Sequence, residues 1–176
     1  MLFSSSIFVL FLLAQAHACP QIISSVCQCV DQTDGVLLNC TDTEPNELIK
    51  MLKYSQAELG LIKWLILERI AIPHLPANYF NGLYIKRLDL VKNGMQSIDG
   101  EAFSGLGTTL MELHIQKNNL TRIPVTALSK LNSLLQLDLS ENNFHSLDEI
   151  DALPALTKVR IITPELEQIN FFRCTT

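Results

Sequence analysis

Apolar residues recur along most of the chain in segments that are 22 to 25 residues apart. Five segments begin at residues 62, 85, 110, 134 and 156 and share apolar side chains at their positions 1, 4, 6 and 11. Three of the segments carry asparagine at position 9, namely Asn93, Asn118 and Asn142. A segment this short cannot bury its own apolar residues, so the pattern predicts stacked units that share one continuous core.

Positions 3 to 5 of each repeat are predicted to form a short strand, and successive strands to pair in parallel. Side chains alternate along a strand, so positions 4 and 6 point into the core. The asparagine amide at position 9 can bond backbone groups that the chain leaves unpaired where it turns off the sheet. A second apolar set is expected to close the outer side: Leu75, Phe80, Leu83, Ile98, Phe103, Leu106, Ile123, Leu128, Leu131, Leu147, Leu153 and Leu156.

These elements predict an α/β fold, a solenoid with a curved parallel sheet on its concave face and short helices or turns on its convex face. About five repeats occupy residues 62–169, and Glu101–Leu106 fits a short helix or turn. Pro164 suits a terminal rung because proline cannot donate to a sheet ladder. Residues 170–176 are expected to form a C-terminal tail.

The segment before the repeats, residues 19–61, is predicted to be a cysteine-rich N-terminal cap with a degenerate first turn of the solenoid. Within it, Glu44 and Pro45 indicate the start of a helix, since proline is favoured in the first helical turn. We expect that helix to span Pro45–Lys53.

Residues 1–18 have the pattern of a secretory signal peptide. The apolar run Ile7–Ala14 is shorter than the roughly 20 residues that cross a bilayer, and Ala16–Ala18 matches a cleavage site. No lysine or arginine precedes the apolar run, and a buried N-terminal helix is the alternative. We expect a secreted, extracellular chain that begins at Cys19 and has neither a membrane span nor a lipid-anchor signal.

Four cysteines lie within 22 residues, Cys19, Cys27, Cys29 and Cys40, and a fifth, Cys174, stands near the other end. In an oxidising compartment the cluster implies two disulfides, for which the sequence leaves three pairings open. Zinc binding through Cys27 and Cys29 is the competing interpretation.

Cys174 has several possible roles: a free thiol, an intermolecular bridge, a remnant of a shortened C-terminal cap, or a side chain buried by Phe171 and Phe172. Dimerisation through the C-terminal end, disulfide-linked or not, is therefore a hypothesis. Asn39 and Asn119 each begin an N-glycosylation acceptor motif, which also fits export.

The repeat L-x-x-L-x-L-x-x-N-x-L, preceded by Cys19-Pro20, Cys27-Gln28-Cys29 and Cys40, resembles extracellular leucine-rich repeat proteins with a cysteine-rich N-terminal cap. The resemblance implies the pairing Cys19–Cys29 and Cys27–Cys40. The chain departs from that family in its longer cap spacing and in lacking a four-cysteine C-terminal cap.

A narrower resemblance is carried by Leu75-Pro76, Phe80–Leu83, Glu101–Leu106 and the cap. These motifs are similar to those of arthropod secreted proteins named after the non-catalytic subunit of shrimp luciferase, Oplophorus-luciferin 2-monooxygenase. The resemblance implies a non-enzymatic binding or stabilising subunit.

Composition and charge narrow the functions further. The 176 residues are 48% hydrophobic and carry a formal net charge of -5, which argues against disorder and against a nucleic-acid-binding surface. No nucleophile-elbow, zinc-protease or phosphate-binding motif occurs, and we expect no enzyme activity, no cofactor and no metal site. His74 and His145 are expected on turns, away from any clear nucleophile.

Positions 3 and 5 of each repeat are predicted to face out of the concave sheet and to bind a partner there. Arg87 and Glu112 could instead pair across neighbouring rungs, and Trp64 could pack under the cap. His114 is placed one rung from Asp89 and one from Asp138, which favours a protonated imidazole, whereas a weakly coupled polar ladder is the alternative. The predicted partner-binding residues are Trp64, Arg87, Asp89, Glu112, His114, Gln136 and Asp138.

The sequence thus favours a secreted, non-enzymatic leucine-rich repeat module that binds an extracellular protein on its concave face. The alternative is a non-catalytic stabilising subunit of a secreted enzyme complex. A carrier for a hydrophobic ligand would need a cavity, which tightly packed leucines argue against.

Overall fold

The computed structural model describes residues 19–146 and two further short strands at 158–161 and 169–171. The predicted signal peptide, the apolar residues Leu147, Leu153 and Leu156, and both Pro164 and Cys174 lie outside the described residues, as does Phe172. Predictions made for them therefore stay predictions.

One sheet of eight strands runs through the described part of the chain in the order β1-β2-β3-β5-β7-β8-β9-β10, and β4 pairs with β6 separately. The six central strands are parallel, while β1 and β10 are antiparallel to their neighbours. The strands are β1 Gln28–Gln32, β2 Gly35–Thr41, β3 Ile62–Glu68, β4 His74–Leu75, β5 Arg87–Val91, β6 Ser97–Ile98, β7 Glu112–His114, β8 Gln136–Asp138, β9 Lys158–Ile161 and β10 Ile169–Phe171.

The leucines at position 4 are register partners on adjacent parallel strands. Leu88 pairs with Leu65 on one side and with Leu113 on the other, and Leu113 pairs with Leu137. Every residue at positions 1, 4, 6 and 11 of the first four repeats is buried. The predicted stacked core and the α/β solenoid are thus confirmed.

The outer apolar set closes the other side of this core. Phe80 and Phe103 are buried and stack with ring centroids 6.2 Å apart. Ile98 is only partly buried, and the other members of the set up to Leu131 are buried. The predicted second layer is therefore present in three successive repeats.

Short helices and turns connect the strands on the convex side. Helix α2 begins at Pro45, as predicted, and Glu44 caps it by accepting a bond from Glu47 N at 2.6 Å. It ends at Tyr54, one residue later than predicted, and Glu101–Leu106 forms turns. The helices are α1 Gln21–Ser24, α2 Pro45–Tyr54, α3 Gln56–Leu59 and α4 Val125–Leu128.

Buried asparagines hold each turn to the repeat before it. Asn118 Nδ2 donates to Leu90 O at 2.9 Å, and Asn118 Oδ1 accepts from the backbone N–H groups of Asn93 and Met95. Asn93 and Asn142 make equivalent bonds to their own preceding repeats. The predicted role of position 9 is confirmed.

Position 8 carries a backbone feature that the repeat pattern did not predict. Arg69, Lys92, Lys117 and Glu141 all have φ of 55° or 56°, although none is glycine or asparagine. The N–H of Lys92 donates to Gln116 O at 3.1 Å. The left-handed conformation turns the chain off the sheet while keeping this bond to the next repeat.

The cap continues the sheet through β2. Two disulfides, Cys19–Cys29 and Cys27–Cys40, have the pairing that the family resemblance implies, so these sulfurs are not free to bind zinc. Leu38 is the register partner of Leu65, and Cys40 is the register partner of Leu67. Antiparallel strands at both ends of the described sheet, which were not predicted, flank the parallel ladder.

Candidate functional site

The face of the sheet opposite the core carries two rows of side chains. We call them the position-3 row and the position-5 row, after the repeat positions that supply them. The position-3 row consists of Val30, Leu37, Trp64, Arg87, Glu112 and Gln136, and the position-5 row of Gln28, Asn39, Ile66, Asp89, His114 and Asp138.

Arg87 is the centre of the polar network on this face. Its Nε and Nη2 donate to the two carboxylate oxygens of Asp89, both at 3.0 Å, in a bidentate pair. Its Nη1 donates to Glu112 Oε2 at 3.4 Å, and its Cζ lies 4.0 Å from the centroid of the Trp64 ring. The predicted pair of Arg87 with Glu112 on the neighbouring strand exists, but the same-strand pair with Asp89 is shorter and bidentate.

His114 lies in the register position that the sequence predicts, between Asp89 and Asp138. Its Nδ1 is 3.4 Å from Asp89 Oδ1 and 3.3 Å from Arg87 Nη2. A guanidinium group only donates and a carboxylate only accepts, so Arg87 and Asp89 favour opposite protonation states of Nδ1. The expectation of two flanking carboxylates therefore omitted a cation that faces the same ring nitrogen.

Trp64 is half-buried on the open face and has Leu37 of the cap strand as its register partner. Its Nε1 is buried and has no hydrogen-bond partner within the described residues. The ring is thus held between the cap strand on one side and Arg87 on the other.

A groove of about 210 Å³ opens beside Trp64 on the cap side of the sheet. Lys63 Nζ is 2.7 Å from Asp34 Oδ1, and this hydrogen bond lowers the pKa of Asp34 below its usual value. The groove is lined by Gln32, Leu37, Lys63, Trp64, Lys86, Arg87 and Glu112.

Asp138 is buried at the far end of the predicted site. It accepts bonds from Gln116 Nε2 at 2.6 Å and from Ser140 N at 2.9 Å. Gln136 is half-buried in the position-3 row. Gln116 was not among the predicted residues, although position 7 lies at the margin of the same face.

Several exposed apolar side chains border the polar network. Val30 of the cap is 51% exposed, which the sequence did not predict because β1 was not expected in the sheet. Met111 and Leu135, at position 2 of neighbouring repeats, are also exposed. The face therefore combines fixed charges with accessible apolar area.

One expectation about catalytic groups is wrong. His74 was expected to lie away from a nucleophile, but its Nδ1 is 2.8 Å from Ser97 Oγ, because β4 and β6 pair and place the two residues side by side. Both side chains are exposed, and no carboxylate is bonded to His74 within the described part of the chain.

Among the residues that the structure describes, no group of three or more histidine, cysteine, aspartate or glutamate side chains could hold a metal ion. None of the helices in this part of the chain is long and apolar enough to cross a membrane.

Residues 108–161 match the family model described as leucine rich repeat. This chain folds as a leucine-rich repeat solenoid. Leucine-rich repeat-containing protein 3 of Homo sapiens is 33% identical over 142 residues, covering 80% of this chain and 51% of that protein. Leucine-rich repeat-containing protein let-4 of Caenorhabditis elegans is 34% identical over 107 residues, covering 61% of this chain and 14% of that protein.

A shorter alignment links the solenoid to Tsukushi of Xenopus tropicalis, which is 41% identical over 63 residues, or 35% of this chain and 18% of that protein. The chain thus spans about half or less of the length of these three relatives. None of the three belongs to the arthropod luciferase-subunit group, and that narrower resemblance stays a prediction.

Proposed function

We propose that this leucine-rich repeat solenoid is a secreted, non-enzymatic module that binds a partner protein on its concave face. The observation that supports this most directly is the arrangement around Arg87, where one guanidinium fixes Asp89, Glu112 and the Trp64 ring in place. A face whose side chains are already ordered loses little conformational entropy on binding.

The residue types on the face fit a protein interface. Tryptophan and arginine are enriched among residues that dominate binding energy, and they act best when bordered by groups that exclude water. Val30, Met111 and Leu135 provide accessible apolar area at the border of the network. The predicted partner-binding residues therefore serve as a preorganised centre with an apolar margin.

Secretion is supported by the two cap disulfides, since disulfides persist in oxidising compartments. Of the two predicted glycosylation positions, Asn119 is exposed, whereas Asn39 is half-buried in strand β2. We therefore favour Asn119 as the glycan-bearing residue. The alternative role, a stabilising subunit of a secreted enzyme, would use the same face and differs only in the partner's identity.

The test is a quantitative capture experiment with the full chain as bait in extracellular fluid of the source organism. Two baits carry Val30→Glu or Leu135→Glu on the concave side, and the matched control carries Ala77→Glu on the exposed convex side. We expect the same proteins to be enriched by the unmodified chain and the control, and to be lost with both concave variants. Equal capture by all four baits would contradict binding at the concave face.

A further inference from the structure

The groove beside Trp64 brings together three cations and an apolar wall at the cap end of the concave face. Two of the cations are already paired: Lys63 with Asp34 at 2.7 Å, and Arg87 with Asp89 at 3.0 Å. The lining also contains one carboxylate, Glu112, which pairs with Arg87 at 3.4 Å. Within the described residues, no carboxylate lies within 4.0 Å of the third cation, Lys86 Nζ. Lys86 as a whole is half-buried.

The apolar wall lies on the cap side of these cations. Leu37 and Trp64 line the groove and are half-buried, and Val30 extends the apolar surface beyond Leu37 along the position-3 row. Arg87 covers one face of the Trp64 ring, so the ring is fixed in position. Gln32 adds a side-chain amide at the rim that can donate to an oxygen.

We propose that this groove receives a glutamate or aspartate side chain from the partner, flanked by an apolar residue that covers Leu37 and Val30. The proposal rests on the proposed function and adds the chemistry of the partner segment. The ligand carboxylate bonds Lys86 Nζ, and the groove's other two cations remain in their existing pairs. A basic residue is rejected there, because it would place a second unpaired cation beside Lys86.

Trp64 is the single tryptophan of the chain, so its indole signal reports on this groove alone. The probe is the acetylated and amidated tripeptide Leu-Glu-Leu, titrated into the full chain while the indole N–H resonance and the tryptophan fluorescence are followed. Matched peptides contain glutamine or lysine in place of glutamate. We expect saturable shifts with the glutamate peptide and binding about tenfold weaker with the glutamine peptide, since the amide oxygen can still accept from Lys86 but carries no negative charge.

Two charge-reversal variants locate the interaction. Lys86→Glu should abolish the response to the glutamate peptide, while Lys53→Glu, at an exposed lysine of α2, should leave it unchanged. Thermal unfolding of both variants verifies that they are folded. Equal affinity for the glutamate and glutamine peptides, or an undiminished response in folded Lys86→Glu, would overturn the proposal.

Failure of the groove proposal and failure of the proposed function are distinguishable. If concave variants lose their captured partners but the peptides show no charge preference, only the groove assignment is wrong. If the concave variants keep their captured partners, the assignment of partner binding to the concave face is wrong, whatever the peptide titrations show.

Discussion

Arg87 and Trp64 occupy position 3 of adjacent repeats, and the guanidinium carbon lies 4.0 Å from the centroid of the indole ring. The same guanidinium is bidentate to Asp89, which is 7% exposed. A lysine could neither stack flat on the ring nor bond both carboxylate oxygens in this geometry. The concave face therefore depends on arginine at this position.

Replacing Arg87 with alanine should destabilise the protein by about 2 kcal/mol, because it leaves the Asp89 carboxylate largely buried without a cation. The double variant Arg87→Ala with Asp89→Asn removes the buried charge as well and should recover part of that loss. Urea unfolding at neutral pH measures both changes. A double variant no more stable than Arg87→Ala would contradict the unpaired Asp89 charge as the cause of the loss.

Substituting alanine for Asn118 should cost about 3 kcal/mol, because its amide bonds backbone groups of two neighbouring repeats, among them the N–H groups of Asn93 and Met95 in the buried turn. Asn119 is the matched control, since it is the next residue but is exposed. Asn119→Ala should change the free energy of unfolding by less than about 0.5 kcal/mol. Chemical denaturation of the unglycosylated protein measures the free energy of unfolding of both variants. Equal losses would contradict the stabilising role of the buried Asn118 amide.

The stacked core could be predicted from the sequence because its signal repeats: apolar residues recur at positions 1, 4, 6 and 11 of all five segments, and those of the first four are buried. The cap strand β2 was missed because its core residues include Cys40 where the repeats have leucine or isoleucine. Val36, Leu38 and Cys40 do alternate with less buried residues, and that alternation could have indicated a strand. Without β2, the apolar end of the concave face at Leu37 and Val30 could not be located.

The network around Arg87 was only partly predictable. Spacing places Glu112 one rung away and so suggests a pair, but it does not say which rotamer the arginine adopts. The preferred partner is Asp89 on the same strand, and the contact with His114 follows from that choice. The positive φ at position 8 could not be predicted either, because lysine, arginine and glutamate carry no local preference for it.

Stability should fall as pH rises from about 10 to about 12 through the buried phenol of Tyr79. Burial, with a smaller contribution from the charge of Glu44, raises the pKa of Tyr79 from 10.0 to about 12. The folded pKa lies above the unfolded one, so the contribution is fully present below pH 10 and is lost as the pH rises through 12. Tyr79→Phe removes this dependence; if urea midpoints of both proteins decline equally between pH 10 and 12, the assignment is wrong.

Lys92 offers a direct test of the left-handed residue at position 8, where φ is 55°. Lys92→Ala and Lys92→Gly both remove the 3.3 Å ion pair with Glu68. The difference between their free energies of unfolding therefore reports the preference of the backbone for this conformation. An L side chain in this conformation costs about 1 kcal/mol that glycine does not incur. We therefore expect Lys92→Gly to be more stable than Lys92→Ala in chemical denaturation, by less than that amount. Glycine's greater freedom in the unfolded chain opposes this gain, so an alanine variant as stable as the glycine variant would mean that the turn imposes no net strain.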